Sequence, residues 1–313
     1  MKRSNLQSPI SYLLFTISYL LLSVAANATS PYITKVYDYL PGIGQFVNVY
    51  PKYQTGDTKA DIIQKVEDAI CNNKQSLVSL GGWGGYVIFG FDHMVENVKG
   101  EYDFIVLGNA FEGNAEPGIV MVSYDKNGNG EPDDEWFELA GSEYGNKSTW
   151  FNVDSTYRRD ADTIKNPYHK QPYYPQWLEE DEYTLHGNIL PKNAIYTTMW
   201  VLNAFDWGYA DNYPNDDERA KLKIDWAVDS KGNKVTLPGI HFVKVYNGED
   251  QMCGDIGETS TEVTGAIDLH LRTSLRNNGS TEYRDSAKKR LINNQLIIYH
   301  LDQTYNILGQ PIQ

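Results

Sequence analysis

The spacing of apolar residues along this chain reads as strand nearly everywhere and as helix once. Ile62, Ile63, Val66, Ala69 and Ile70 recur with the 3.6-residue period of one helical face. Thr58 and Asp61 stand at capping-box spacing, and Asn72-Asn73 supplies a stop, so a short amphipathic helix is predicted over about 58–72. Short apolar or alternating runs predict strands at 86–91, 102–107, 118–124, 136–139, 195–202, 223–228, 240–246, 266–271 and 296–301. Polar, Gly- and Asn-rich connections separate them without the rhythm of a βαβ sheet. The expected fold class is therefore mainly β, an antiparallel β-sandwich or jelly roll with one helix.

Two connections are long and rich in rings. Residues 141–191 carry Tyr168, Tyr173, Tyr174, Trp177 and Tyr183, and residues 205–219 carry Trp207, Tyr209, Tyr213 and a dense group of acids. Long connections in a domain are functional or disordered, and disorder is poor in aromatics. Folded binding loops are expected, the alternative being rings that cover the ends of the sandwich.

The N-terminus changes the picture of where this domain works. Lys2 and Arg3 precede an apolar run over 12–26 and then Ala26-Asn27-Ala28, the layout of a secretory signal peptide. Ser11, Thr16, Ser18 and Ser23 interrupt that run, which is short for a membrane span. The expected organisation is a signal peptide over 1–28, a calcium-stabilised domain over 29–272 and a C-terminal extension over 273–313. No second run is long enough to cross a bilayer, so the mature chain is expected at the cell surface or beyond, or in the periplasm. The formal net charge is −14, and loss of Lys2 and Arg3 with the leader makes it −16. A surface that acidic repels phosphate backbones and argues against nucleic acid as a partner. Cys71 and Cys253 either pair in an oxidising compartment or stand as separate buried thiols.

Residues 125–135 carry the sharpest chemical signal. Asp125, Asn127 and Asn129 put oxygens at alternate positions, with Gly130 at the sixth. Calcium binds six to eight hard oxygens, and such alternation turns side chains inward around a tight loop. Glu131, Asp133, Asp134 and Glu135 extend the set, while Trp136 stands where an EF-hand has its bidentate Glu. The expectation is a structural calcium loop between strands; the alternative is an Asn-Gly turn crowded with surface acids. A second acidic group, Asp206, Asp211, Asn212, Asp216, Asp217 and Glu218, lacks ligand spacing and is expected to be a solvated loop.

Catalytic motifs are missing: there is no GxSxG, HExxH or Walker loop. Gly81-Gly82-Trp83-Gly84-Gly85 fails dinucleotide spacing and reads as a hinge that places Trp83 across a sheet edge or toward a ligand. The six histidines show no metal-ligand pair, and the many acids make any carboxylate pair uninformative.

Leu80-Gly81-Gly82, Tyr86–Phe91, Tyr102–Phe111 and Gly118–Asp125 together resemble a family of secreted bacterial surface proteins with a galactose-binding-like jelly roll. Residues 132–144 and 257–269 are similar to a branch of Bacteroidetes cell-surface proteins, often labelled PKD-domain proteins, some associated with vitamin B12 uptake loci. The resemblance spans roughly 36–271 and implies no catalytic residues. Tyr305–Ile312 is similar to the start of a type IX secretion tail, either truncated here or a chance likeness.

The function expected from these features is a non-catalytic, exported module. Its ligand is expected to be a glycan or a corrinoid, gripped by Trp83, Trp177, Trp207 and Tyr209 with Asp211 and Asn212 as polar partners. Two alternatives remain: a structural or adhesion component meeting an outer-membrane protein partner, and a polysaccharide hydrolase or lyase.

Overall fold

The computed structural model describes residues 29–159, 172–254 and 257–271, with strand backbone at 288–292, 295–300, 303–306 and 311–312. The predicted signal peptide, Tyr168 and most of the 273–313 extension lie outside these residues. In chain order the elements are β1 (Lys35–Leu40), α1 (Lys59–Ile70), β2 (Val78–Ser79), β3 (Tyr86–Glu96), β4 (Phe104–Leu107), β5 (Gly118–Ser123), β6 (Trp136–Leu139), β7 (Trp150–Arg158), β8 (Glu182–Ile189), β9 (Ala194–Tyr196), β10 (Trp200–Leu202), β11 (Lys221–Leu222), β12 (Ala227–Val228), β13 (Gly239–Asn247), β14 (Glu262–Val263) and β15 (Gly265–Asp268). The extension adds β16 (Lys288–Ile292), β17 (Gln295–His300), β18 (Gln303–Asn306) and β19 (Pro311–Ile312), a separate antiparallel meander.

Six strands pair in the order β1-β3-β13-β5-β6-β12, and β11-β4-β15 form a second, three-stranded sheet; each strand pairing within these two sheets is antiparallel. Val87, Phe89, Val120, Val122, Val243 and Val245 of the first sheet and Phe104, Val106 and Ala266 of the second enter one buried cluster. The two sheets therefore share a core, the antiparallel sandwich that the alternating pattern predicts. Strand pairing establishes the sandwich and not a jelly-roll winding.

The helix closes one margin of that core. Thr58 Oγ1 accepts the Asp61 N–H, and Asp61 Oδ2 accepts the Thr58 N–H at 2.8 Å, so both halves of the box are made. Ile62, Val66 and Ile70 are buried with β1 and β2. Glu67 Oε2 takes the Val36 N–H at 3.0 Å, satisfying a donor on the edge strand β1. Asn72 and Asn73 turn left-handed, at φ 53° and 62°, and end the helix as expected.

Two strand expectations change, and one expected loop gains strands. Residues 223–228 form a 3-10 turn over Ile224–Trp226 followed by the two-residue β12, because the buried Asp103 carboxylate takes the Ile224 N–H at 2.7 Å and turns the chain. Residues 195–202 fold back as the β9–β10 hairpin. The 141–191 connection, expected to be a folded loop, contains strands: β7 and β8 pair within it over Trp150–Arg158 and Glu182–Ile189. β8 alternates Tyr183, Leu185 and Ile189 with Glu182, Thr184, His186 and Asn188, and Leu185 is buried, an alternation that the strand expectations above leave out.

The glycine run is a packing device. A Cβ on Gly85 would stand 1.9 Å from the Leu80 carbonyl oxygen and 2.2 Å from the Gly42 nitrogen, two backbone atoms that hydrogen-bond each other. The run passes so close to 41–43 that only glycine fits.

Candidate functional site

The 125–135 loop leaves β5 and enters β6, so the first sheet fixes both its ends. Asp125 Oδ1 accepts the N–H groups of Gly128 at 2.7 Å and Asn129 at 3.2 Å, and Oδ2 accepts that of Gly130 at 2.9 Å. Burial pushes the Asp125 carboxyl up, but these N–H groups outweigh it and hold its pKa below the usual carboxylate value. Asn127 and Asn129 both turn their amides to Asp133, at 3.0 and 2.9 Å, and Asp134 Oδ2 takes the Lys126 N–H at 2.8 Å. Gly130, at φ 74°, permits the bend. His241 Nδ1 accepts the Asp125 N–H at 3.2 Å and ties the loop to β13. Asp125, Asn127, Asn129 and Asp133 thus turn toward one another. Glu131 instead points out to Lys35 at 3.4 Å, and Glu135 is exposed.

A second acidic centre is buried. One carboxylate oxygen each from Glu116, Asp211 and Glu262 lies within 4.8 Å of the other two, and the three could hold a metal ion. Asp211 Oδ1 accepts the N–H of Asn109 at 2.7 Å and of Ala110 at 2.8 Å, while Oδ2 accepts that of Glu262 at 2.9 Å. Glu116 accepts from the Ser260 N–H at 3.2 Å and the Asn114 amide at 3.2 Å. Nearby, Glu249 accepts from the Gln251 amide at 2.6 Å. Burial drives the Glu249 carboxyl well above its ordinary pKa, and Glu116 adds to the rise. Burial also pushes Glu258 up to about 7. So many acids in an interior demand protons, donors or a cation.

Asp211 and Asn212 are therefore not in a solvated loop, as their acidic surroundings suggested. Asp211 is 3% exposed, and Asn212 is sealed by two hydrogen bonds of 2.8 Å to the Phe205 backbone. Glu116 and Glu262 escaped the sequence reading because they stand far apart in the chain. The available signal was Glu262 itself, an acid inside the strand-like run Thr261-Glu262-Val263.

Of the four rings expected to face a ligand, the structure places three inside. Trp83 is 3% exposed and donates through Nε1 to the Asn188 carbonyl at 2.9 Å. Trp177 joins the main core, stacked 6.1 Å from Tyr39. Tyr209 is buried beneath Gly141, with its hydroxyl accepting the Glu143 N–H at 2.9 Å. Trp207 alone reaches solvent, 37% exposed, and packs 4.6 Å from Trp226, which meets Tyr102 edge-on at 6.2 Å. The Ser142 N–H donates to the Trp207 carbonyl, and two residues on Tyr144 meets Phe151 at 5.1 Å. Phe151 and its neighbour Trp150 are 43% and 65% exposed. Two groups of rings thus reach solvent, Tyr144 with Phe151 and Trp207 with Trp226 and Tyr102, linked through the Ser142–Trp207 backbone hydrogen bond.

Cys71 and Cys253 are separate buried thiols. Among the described residues, no helix is long and apolar enough to cross a membrane. Fold and site together define an antiparallel β-sandwich with an acidic centre in its interior and an oxygen-rich loop at its rim. Compared with models of known families and with curated protein sequences, the chain has no match.

Proposed function

We propose that this protein is an exported, non-catalytic binding module whose 125–135 loop holds calcium and whose ligand docks on the exposed ring band. The observation that carries the reading is those rings: Trp150, Phe151 and Trp207 are exposed, and the half-buried Tyr144, Trp226 and Tyr102 pack beside Phe151 and Trp207. Flat rings at a wet surface stack on the apolar C–H faces of sugars while hydroxyls meet nearby polar groups, so a surface glycan is the ligand class favoured. A corrinoid is the second reading, supported by the resemblance to surface proteins near B12 uptake loci and by the breadth of aromatic wall it would use. The ligand-facing residues are Trp207, from the sequence reading, with Trp150 and Phe151 in place of the buried Trp83, Trp177 and Tyr209.

The test is glycan-array binding alongside cobalamin titration, with Trp150→Ala, Phe151→Ala and Trp207→Ala each compared with the parent. Loss of binding in these variants, with melting unchanged, supports the band. Binding that survives all three substitutions overturns it.

A further inference from the structure

We infer that Glu116, Asp211 and Glu262 form a second calcium site, buried and separate from the 125–135 loop, that pins the 205–219 connection to the sandwich. Calcium–oxygen distances of about 2.3–2.6 Å put two ligands of one ion at most about 5 Å apart. The three carboxylates satisfy this with atoms no more than 4.8 Å from one another. The donors of the trio are all hard oxygens, the set that selects calcium or magnesium over the nitrogen- and sulfur-seeking metals. Magnesium keeps several waters, so a cage of protein oxygens in an interior favours calcium.

One further side chain points the same way. Asn109 is 5% exposed, its amide oxygen and nitrogen have no partner, and its own N–H lies 2.7 Å from Asp211 Oδ1. A buried carbonyl oxygen left this way costs free energy that a bound cation recovers. Glu249, 2% exposed, adds a further buried acid beside Glu116, hydrogen-bonded to the Gln251 amide and the Thr259 hydroxyl. The surroundings also hold the ligands in place. Backbone N–H groups of Asn109, Ala110 and Glu262 orient Asp211, and those of Ser260 and the Asn114 amide orient Glu116, the usual task of groups behind metal ligands. Asp211 itself sits at φ 51°, a strained position for a residue with a side chain, on the same connection as Trp207. An ion here joins the β4–β5 connection, the 205–219 connection and β14.

The test uses the mature chain with the loop silenced by Asp125→Ala and Asn129→Ala, stripped with chelator and titrated with calcium chloride in a calorimeter. The expected result is one calcium per chain, and a loss of affinity of at least about tenfold when Glu262→Gln is added. The melting temperature gives a second readout. In chelator, Glu262→Gln melts at or above its parent because one of three crowded charges is gone; in calcium it melts below. Glu116→Gln repeats the test should Glu262→Gln not fold. A folded loop variant that binds no calcium, or one that binds it equally well with and without Glu262→Gln, overturns the site. Trp207→Ala is expected to keep this ion, so failure of ligand binding at the ring band and failure of the ion site are separate results.

Discussion

At the residue scale, single positions are governed by what their backbone or side chain meets. Gly85 has no room for a methyl group: its Cβ would overlap a hydrogen-bonded pair of backbone atoms. Gly85→Ala is expected to destabilise the protein by at least about 3 kcal/mol, at the upper end of overpacking costs, and an unchanged denaturant midpoint would contradict this. Glu138 on β6 is the second case. Burial lifts its carboxyl to about 7, against a lowering by the Asn188 amide that donates to it at 2.6 Å. Because the folded pKa lies above the unfolded one, the folded state holds the proton longer. Its stabilising effect is complete below about pH 4.5 and is lost as pH rises toward 7. Glu138→Gln should therefore gain on the parent across that window, by an amount on the order of 3 kcal/mol. Urea melts at pH 4.5 and 8 that show the same difference would rule it out.

At the scale of elements, helix and loop differ in how much of their design is local. The cap of α1 closes between Thr58 and Asp61, and its buried face repeats every turn, so both were visible as spacing. The same is true of the inward turn of Asp125, Asn127 and Asn129. For that loop, chelation is expected to lower the melting temperature and added calcium to restore it. An ion at 100 times its dissociation constant contributes about 2.7 kcal/mol, a shift of several degrees. Asp125→Ala should shrink the calcium-dependent part of the shift, and a melt indifferent to both chelator and substitution would remove calcium from the loop. The β7–β8 hairpin shows the opposite. Thr156 and Thr184 pair at 2.8 Å and Arg158 meets Glu182 at 3.0 Å, contacts between strands that come together from opposite ends of a long connection.

At the scale of the whole molecule, the sandwich is clasped by histidine–carboxylate pairs. His93 on β3 meets Asp268 on β15 at 2.8 Å, joining the two sheets, and His270 meets the buried Asp103 at 2.9 Å. The hydrogen bond to Asp268 raises the His93 pKa against burial, with Asp92 adding to the rise. Stability from the His93 pair is thus complete below about pH 6.5 and is lost as pH rises through the folded value. His93→Gln should cost more at pH 5.5 than at pH 9; an equal cost at both would mean that the charged pair contributes nothing.

What the chain states by itself is what closes over a few residues: one capped helix, the alternation that makes strands, a run of oxygens with a glycine in the bend. Those features need only neighbours in sequence, and the mainly-β sandwich followed from them. Tertiary structure alone decided which rings face water and which acids meet. Trp83, Trp177 and Tyr209 look like Trp207 in composition, yet their exposure depends on which segment folds over them. The contact between Glu262 and Asp211 spans 51 residues, and that between Ser260 and Glu116 spans 144. Such convergence is set by the path of the whole chain around a shared core, and no local pattern encodes it.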